Sequence, residues 1–454
     1  NIPSILAVSS TAETGLRISV RSLGASLPVE SMKHIGDRVK RRQLTVADGL
    51  SLLSVAFLCF CVCRTGHETG YVPVLYAGYA VIALNIFRIK DFQLSKLKPA
   101  LPFFAVALIS PLFQALFVAG PYYSISNAFN AAILFAVFCL CAGLLIVSDD
   151  LSGHVWKIIN FVSLSASILI LIEYLTFLAG IRLYSIPVLG DWVFNAWEFE
   201  GSGAYRPCAY FSEASHFAEL ALLSAFYFLY VANSRLKFVL VFSACVASTS
   251  SLGIIGCAGL ALVYVFFFSY SKRRLIESGK GKGMLAMRIF LIALSCIALI
   301  AAIVYLQSSD SWFATRIMDG GTSSMRMSRS FELFSIMAPL EQLFGFGLQN
   351  QAIYLNANGI VLPSDYNETL VNREFAATIG YVLCTNGVCG LLAILYMFLP
   401  GFKSRDGKIK VLTGLLLYIS FTCCIMSRGI FIVMLLVLFA YGNGYWTTDR
   451  GLNG

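Results

Sequence analysis

The segment "RPCAYFSEASHFA", residues 206–218, puts Arg206, Glu213 and His216 within eleven residues, just before a run apolar enough to cross a bilayer. Lipid hydrocarbon penalises such groups, so charge kept at the mouth of a span calls for a reason. A carboxylate there can act as a general base toward a hydroxyl, and an arginine seven residues earlier can hold an anionic partner within its reach. Local structure offers a second account. Ser212 is a good N-cap for a helix beginning at Glu213, the helix dipole favours Glu213 in that first turn, and His216 is spaced to hydrogen-bond to it.

Other clusters suit anions as well. "TRIMDGGTSSMRMSRS" carries Arg316, Arg326 and Arg329 within fourteen residues, interrupted by a Gly pair and balanced by nearby Asp310, Asp319 and Glu332. "STSSLG", residues 248–253, sets hydroxyls and free backbone N–H groups at the start of an apolar helix, where anions are favoured, although Ser-rich turns between short spans are common in any case. "LPSDYNETLVNRE", residues 362–374, adds Asp365, Glu368, Arg373 and Glu374, and its "NET" is a chance match to a glycosylation sequon. No P-loop, zinc spacing or G-x-S-x-G motif occurs, nor paired metal-binding aspartates on the outer side, so no cofactor and no metal are expected. "SDD" at 148–150 has nothing beside it that would help hold a nucleotide.

These residues must be positioned by membrane helices. The 454-residue chain is 58% hydrophobic and 13% charged, about half the charge of a soluble domain. Apolar runs at 47–63, 71–88, 100–119, 127–148, 156–179, 213–232, 236–249, 252–270, 288–307, 380–400, 409–426 and 429–443 predict twelve spans in an all-α polytopic fold. The pairs 236–270 and 409–443 are cramped and require tight turns at "STSS" and "SRG". The thirteen cysteines are scattered, with Cys208 the one in a clearly polar loop, where it reads as a free thiol or a packing residue.

The net charge of +9 is read as topological and not as a sign of nucleic-acid binding. With the N-terminus inside, 25 of the 33 basic residues fall in cytoplasmic segments, and both termini lie in the cytoplasm. The eight left outside (Arg64, Arg182, Arg206, Arg316, Arg326, Arg329, Arg373 and Arg428) are all arginine, and all thirteen lysines lie inside. Positive-inside bias does not explain that choice, whereas the planar guanidinium fork, which grips phosphate and carboxylate bidentately, does.

The expected organisation is a cytoplasmic segment at 1–46, a transmembrane domain at 47–443 and a cytoplasmic tail at 444–454. Residues 1–31 are expected to be disordered or foreign, because Met32 opens a natural-looking cytoplasmic start, and no cleavable signal peptide is seen. Two outer loops are long, 180–212 and 308–379, and loops of that size usually carry function. Within the second, Phe331, Leu333, Phe334 and Ile336 recur at helical spacing and predict an amphipathic helix on the membrane face; "NETLVNREFAATIGYVLCTNG" predicts another leading into the tenth span.

In that order, "RPCAYFSEASHF", "STSSLGIIG", "MRMSRSFELFSIMAPLEQLFGFGLQN" and "TIGYVLCTNGVCGLLAILY" resemble the O-antigen and capsule repeat-unit polymerases (Wzy-type) and the related O-antigen ligases. The resemblance covers about residues 45–443, mostly as topology, and is specific at these four stretches. It implies a membrane glycosyltransferase of the C-type fold at the periplasmic face of the bacterial inner membrane, inverting at the anomeric carbon. Such an enzyme moves a growing glycan from one undecaprenyl diphosphate carrier to a new lipid-linked repeat unit. On that reading Glu213 and His216 are catalytic, and Arg206, Arg316, Arg326, Arg329 and Arg373 hold the diphosphate. Asp365, Tyr366 and Glu368 are secondary candidates. The implied partners are undecaprenyl-diphosphate-linked oligosaccharides, membrane lipids, a chain-length regulator and a flippase, with no nucleic acid.

Two other readings compete. The ligases carry a histidine in the large outer loop where this sequence has Tyr366, and none of the four histidines (34, 67, 154 and 216) falls in that loop, which argues for polymerase over ligase. A lipid-linked-sugar transporter would keep loops short and place charge at mid-membrane depth, where Glu173 and Glu219 are the main candidates.

Overall fold

The computed structural model describes residues 46–60, 71–92, 94–117, 124–146, 151–183, 196–199, 204–268, 321–360, 376–423 and 429–442. Apolar runs become helices because a backbone screened from water must satisfy its own hydrogen bonds. In chain order the helices are α1 Val46–Phe60, α2 Tyr71–Leu84, α3 Leu101–Phe117, α4 Ile125–Ile146, α5 Leu151–Leu178, α6 Ala214–Phe226, α7 Arg235–Ala247 and α8 Ser251–Val263. They continue as α9 Gly321–Ile336, α10 Pro339–Phe344, α11 Gln351–Ala357, α12 Thr378–Lys403, α13 Gly407–Thr422 and α14 Gly429–Gly442. Each of the predicted apolar runs has its helix within a few residues, except 288–307, which lies outside the described residues, as do the "SRG" turn and residues 361–375. Among the described residues, five segments are long and apolar enough to cross a membrane: Leu97–Phe117, Ile125–Leu145, Val155–Leu178, Ala214–Val231 and Thr378–Lys403.

α6 is the centre of the largest core. Apart from Ser215, every residue from Ala214 to Phe226 is buried, the signature of a helix surrounded by others. α5, α7, α8 and α13 pack around it. The Ser224 hydroxyl donates to the Ile159 carbonyl (3.3 Å), and the backbone N–H of Ala209 reaches Glu173, so α6 descends as α5 rises. α8 runs in the same direction as α6. A Cβ on Gly253 would come within 3.2 Å of the Ala218 Cβ, and one on Gly256 within 2.5 Å of Leu222, so the two glycines let the helices approach closely.

The fold is not wholly helical. Residues Ala196–Phe199 (β1) and Ala204–Pro207 (β2) pair antiparallel, with Trp197 opposite Arg206, inside the stretch expected to be a plain loop.

α12 is broken within its length. Gly387 sits at φ 65° and ψ −165°, a region open essentially to glycine, and frees the carbonyls before it. The Cys384 carbonyl accepts from the Phe346 N–H (3.3 Å) and the Thr385 carbonyl from the Gly347 N–H (2.7 Å). Thus "LFGFG", following α10, fits into the break. Gly345 is also in the glycine-only region (φ 74°, ψ −179°), and a Cβ there would stand 2.1 Å from the Thr385 backbone. Ser110 and Gln114 of α3 secure the same loop through the Phe344 and Gly345 carbonyls.

α9 forms over the predicted helical spacing and carries apolar side chains on more than one face. Arg329, Ser330, Leu333 and Met337 form the buried stripe, while Phe331 and Ile336 point outward, each 53% exposed. Packing on α12 decides this, since the Cys384 thiol donates to the Ser330 carbonyl (3.2 Å).

Candidate functional site

Residues 205–213 form a strap between the β-hairpin and α6. It does not cross the ends of the helices but sinks along α5. The Tyr205 hydroxyl donates to Glu173 Oε1 (3.2 Å) and the Ala209 N–H to Glu173 Oε2 (3.3 Å), five residues short of the end of α5 at Leu178. The Tyr210 hydroxyl goes deeper, donating to the Val162 carbonyl (2.5 Å) beside Ser165 (2.9 Å). Extending the pairing of Ser224 with Ile159 up both helices sets the start of α6 opposite about residue 169, roughly 13 Å below the end of α5 at 1.5 Å per residue. The polar residues of the strap therefore stand in a recess among helices.

Glu213, and not Ser212, is the N-cap of α6, and its extended backbone (φ −146°, ψ 154°) turns the chain into the helix without a side-chain capping bond. Its Oε2 accepts from the Ser215 hydroxyl (2.9 Å). His216 is 6% exposed and pairs through Nδ1 with the Ser212 Oγ (2.5 Å).

Arg206 is drawn into the same group. Burial lowers its pKa from the ordinary guanidinium value, opposed by Cys208 and by the Glu213 carboxylate, which is near enough to act on it. Cys208, predicted to be in a polar loop, is wholly buried. Burial raises its thiol pKa well above the usual range; Arg206 opposes this, while Glu173 and Glu213 add to it. One thiol thus senses both carboxylates and the arginine of the strap.

The first turn of α8 lies beside that of α6. Ser250 caps α8 by accepting from the Gly253 N–H (3.4 Å), and Thr249 before it takes a left-handed conformation (φ 51°). The N-terminus of α6 follows the strap directly and that of α8 packs beside α6 through Gly253 and Ala218, and both favour negative charge.

Of the other candidates, Arg329 is described and buried to 2% exposure on α9. Arg326 is on α9, but its side chain lies outside the described residues, as do Arg316, Asp365, Tyr366, Glu368 and Arg373. α9 packs on α12 and α13, and the Tyr418 hydroxyl of α13 donates to the Leu252 carbonyl in the first turn of α8 (3.1 Å). The two assemblies therefore share α13.

Sequence reasoning missed Ser212 and Ser215 as partners of His216 and Glu213, and Glu173, Tyr205 and Tyr210 as the anchors of the strap. No protein-family model matches the chain, and no curated protein matches it at a significant level.

Proposed function

We propose that this protein is a membrane glycosyltransferase that polymerises undecaprenyl-diphosphate-linked oligosaccharide repeat units into O-antigen or capsular polysaccharide. It would work at the periplasmic face of the bacterial inner membrane with both termini in the cytoplasm. The observation that carries this reading is the sunken strap, which brings Arg206 and Glu213 into electrostatic reach of one another at the N-terminus of α6.

The reaction suits that arrangement. Glu213 takes the proton of the acceptor sugar's hydroxyl as its oxygen bonds to the anomeric carbon of the donor glycan. The bond from that carbon to the lipid diphosphate breaks, and the departing diphosphate gains negative charge. Arg206 and the N-termini of α6 and α8 stabilise that charge in a site shielded from water. His216 and Ser212 form a second proton-carrying pair beside the base. Arg316, Arg326, Arg329 and Arg373 would complete the hold on the diphosphate, with Asp365, Tyr366 and Glu368 as the secondary candidates of that loop.

The glycan ladder of a strain lacking this protein tests the reading. Loss of long chains, with single repeat units retained on the lipid A core or carrier, is the expected result. Long chains retained on the carrier but missing from the core would indicate a ligase, and repeat units confined to the inner leaflet a transporter.

A further inference from the structure

We propose that Glu173 is a positioning residue for this site: from α5 it holds the strap in its recess and so sets where Arg206 and Glu213 stand. The inference rests on the reading of those two residues given above. Glu173 is fully buried, and each of its oxygens holds a different part of the strap. One receives the Tyr205 hydroxyl, whose ring stacks on Phe177 of the same helix with centroids 4.0 Å apart and planes within 4°. The other receives the N–H of Ala209, which sits at φ 49°, a conformation that a non-glycine residue seldom adopts without support.

Arg206 lies between those two anchors, and Glu213 follows the second by four residues. Releasing the carboxylate therefore frees both functional residues together. A mid-helix carboxylate in a transporter instead serves by exchanging protons or partners. Here both oxygens are occupied by the strap, so shape matters and charge does not. Glutamine can keep both contacts: its carbonyl oxygen accepts from the Ala209 N–H and its amide donates to the Tyr205 hydroxyl oxygen. Alanine keeps neither.

The test uses full-length protein in membranes or nanodiscs and two readouts. Cys208, a buried residue of the strap itself, reports its seating through maleimide labelling resolved by peptide mass spectrometry. Extension of lipid-linked repeat units reports the site. Wild type and Glu173→Gln should both protect Cys208 and differ in turnover by no more than about threefold. Glu173→Ala should label at least about tenfold faster and lose about a hundredfold in turnover, mostly in kcat, as expected for a misplaced reacting group. If Glu173→Ala cannot be purified intact, Tyr205→Phe, which removes one contact and keeps the ring stack, should raise labelling and lower kcat in the same direction.

The proposal is overturned if Glu173→Gln is as impaired as Glu173→Ala. It is equally overturned if the alanine variant leaves Cys208 protected, or exposes it without loss of turnover. Should wild-type protein extend nothing, the labelling pattern alone decides whether Glu173 holds the strap, so failure of the reaction reading is told apart from failure of this one.

Discussion

Glu213 caps α6 with its backbone, while its side chain accepts from Ser215 and acts on Arg206. The helix-dipole account of this residue therefore lacks its usual capping hydrogen bond, and the two roles can be separated by rate. Glu213→Gln should lower polymerisation by about 10²–10⁴-fold if the residue is the base, whereas losing a favourable charge alone costs about 0.3–1 kcal/mol of stability. Assays of turnover and thermal unfolding on the same preparation decide between them, and near-normal turnover would move the base role to Asp365 or Glu368. Arg206→Lys keeps the charge but loses the fork, and should weaken turnover by at least about tenfold through one lost charge-assisted contact. Normal turnover in the lysine variant would make the arginine topological. The grouping of Arg206, Glu213 and His216 was legible from spacing alone. The bond between Ser212 and His216 was not, because Ser212 precedes the helix and helical spacing says nothing of its side chain. Glu173 was illegible as an anchor, since its two partners lie 32 and 36 residues away in sequence.

Helices were the most legible elements, because a long apolar run in a charge-poor chain has few other ways to satisfy its backbone. Their interruptions were harder to read. Asn386-Gly387 is a turn signal buried in an otherwise unbroken apolar run, and the run masked it. In α9 the apolar spacing predicted a helix but not its buried stripe of Arg329 and Ser330, because the contact with Cys384 on α12 comes from 54 residues away in sequence. The break in α12 makes a sharp prediction. Gly387→Ala would set a Cβ 2.3 Å from the Leu343 backbone in a glycine-only conformation, and should destabilise the protein by at least about 3 kcal/mol. Gly259→Ala in α8, where a Cβ would meet nothing within 4 Å, should be neutral or stabilising by up to about 1 kcal/mol. Thermal unfolding in detergent measures both, and equal effects would contradict the fitted loop.

At the scale of the molecule, the account depends on the strap facing the side where lipid-linked repeat units are presented. The distribution of lysine and arginine predicts that residues 180–212 and 308–379 are outside and that 271–288 is inside. Single cysteines probed with a membrane-impermeant maleimide in intact cells should label at positions in the two long segments and not at residue 280. Outer labelling at 280 would invert the scheme and put Glu213 on the wrong side for this chemistry. The most direct test is reconstitution. Purified protein in liposomes or nanodiscs, given undecaprenyl-diphosphate-linked repeat units and nothing else, should convert them into a ladder of two, three and more units, releasing one lipid diphosphate for every bond formed. Repeat units left at single length by well-folded wild-type protein, with no lipid diphosphate released, would contradict the account.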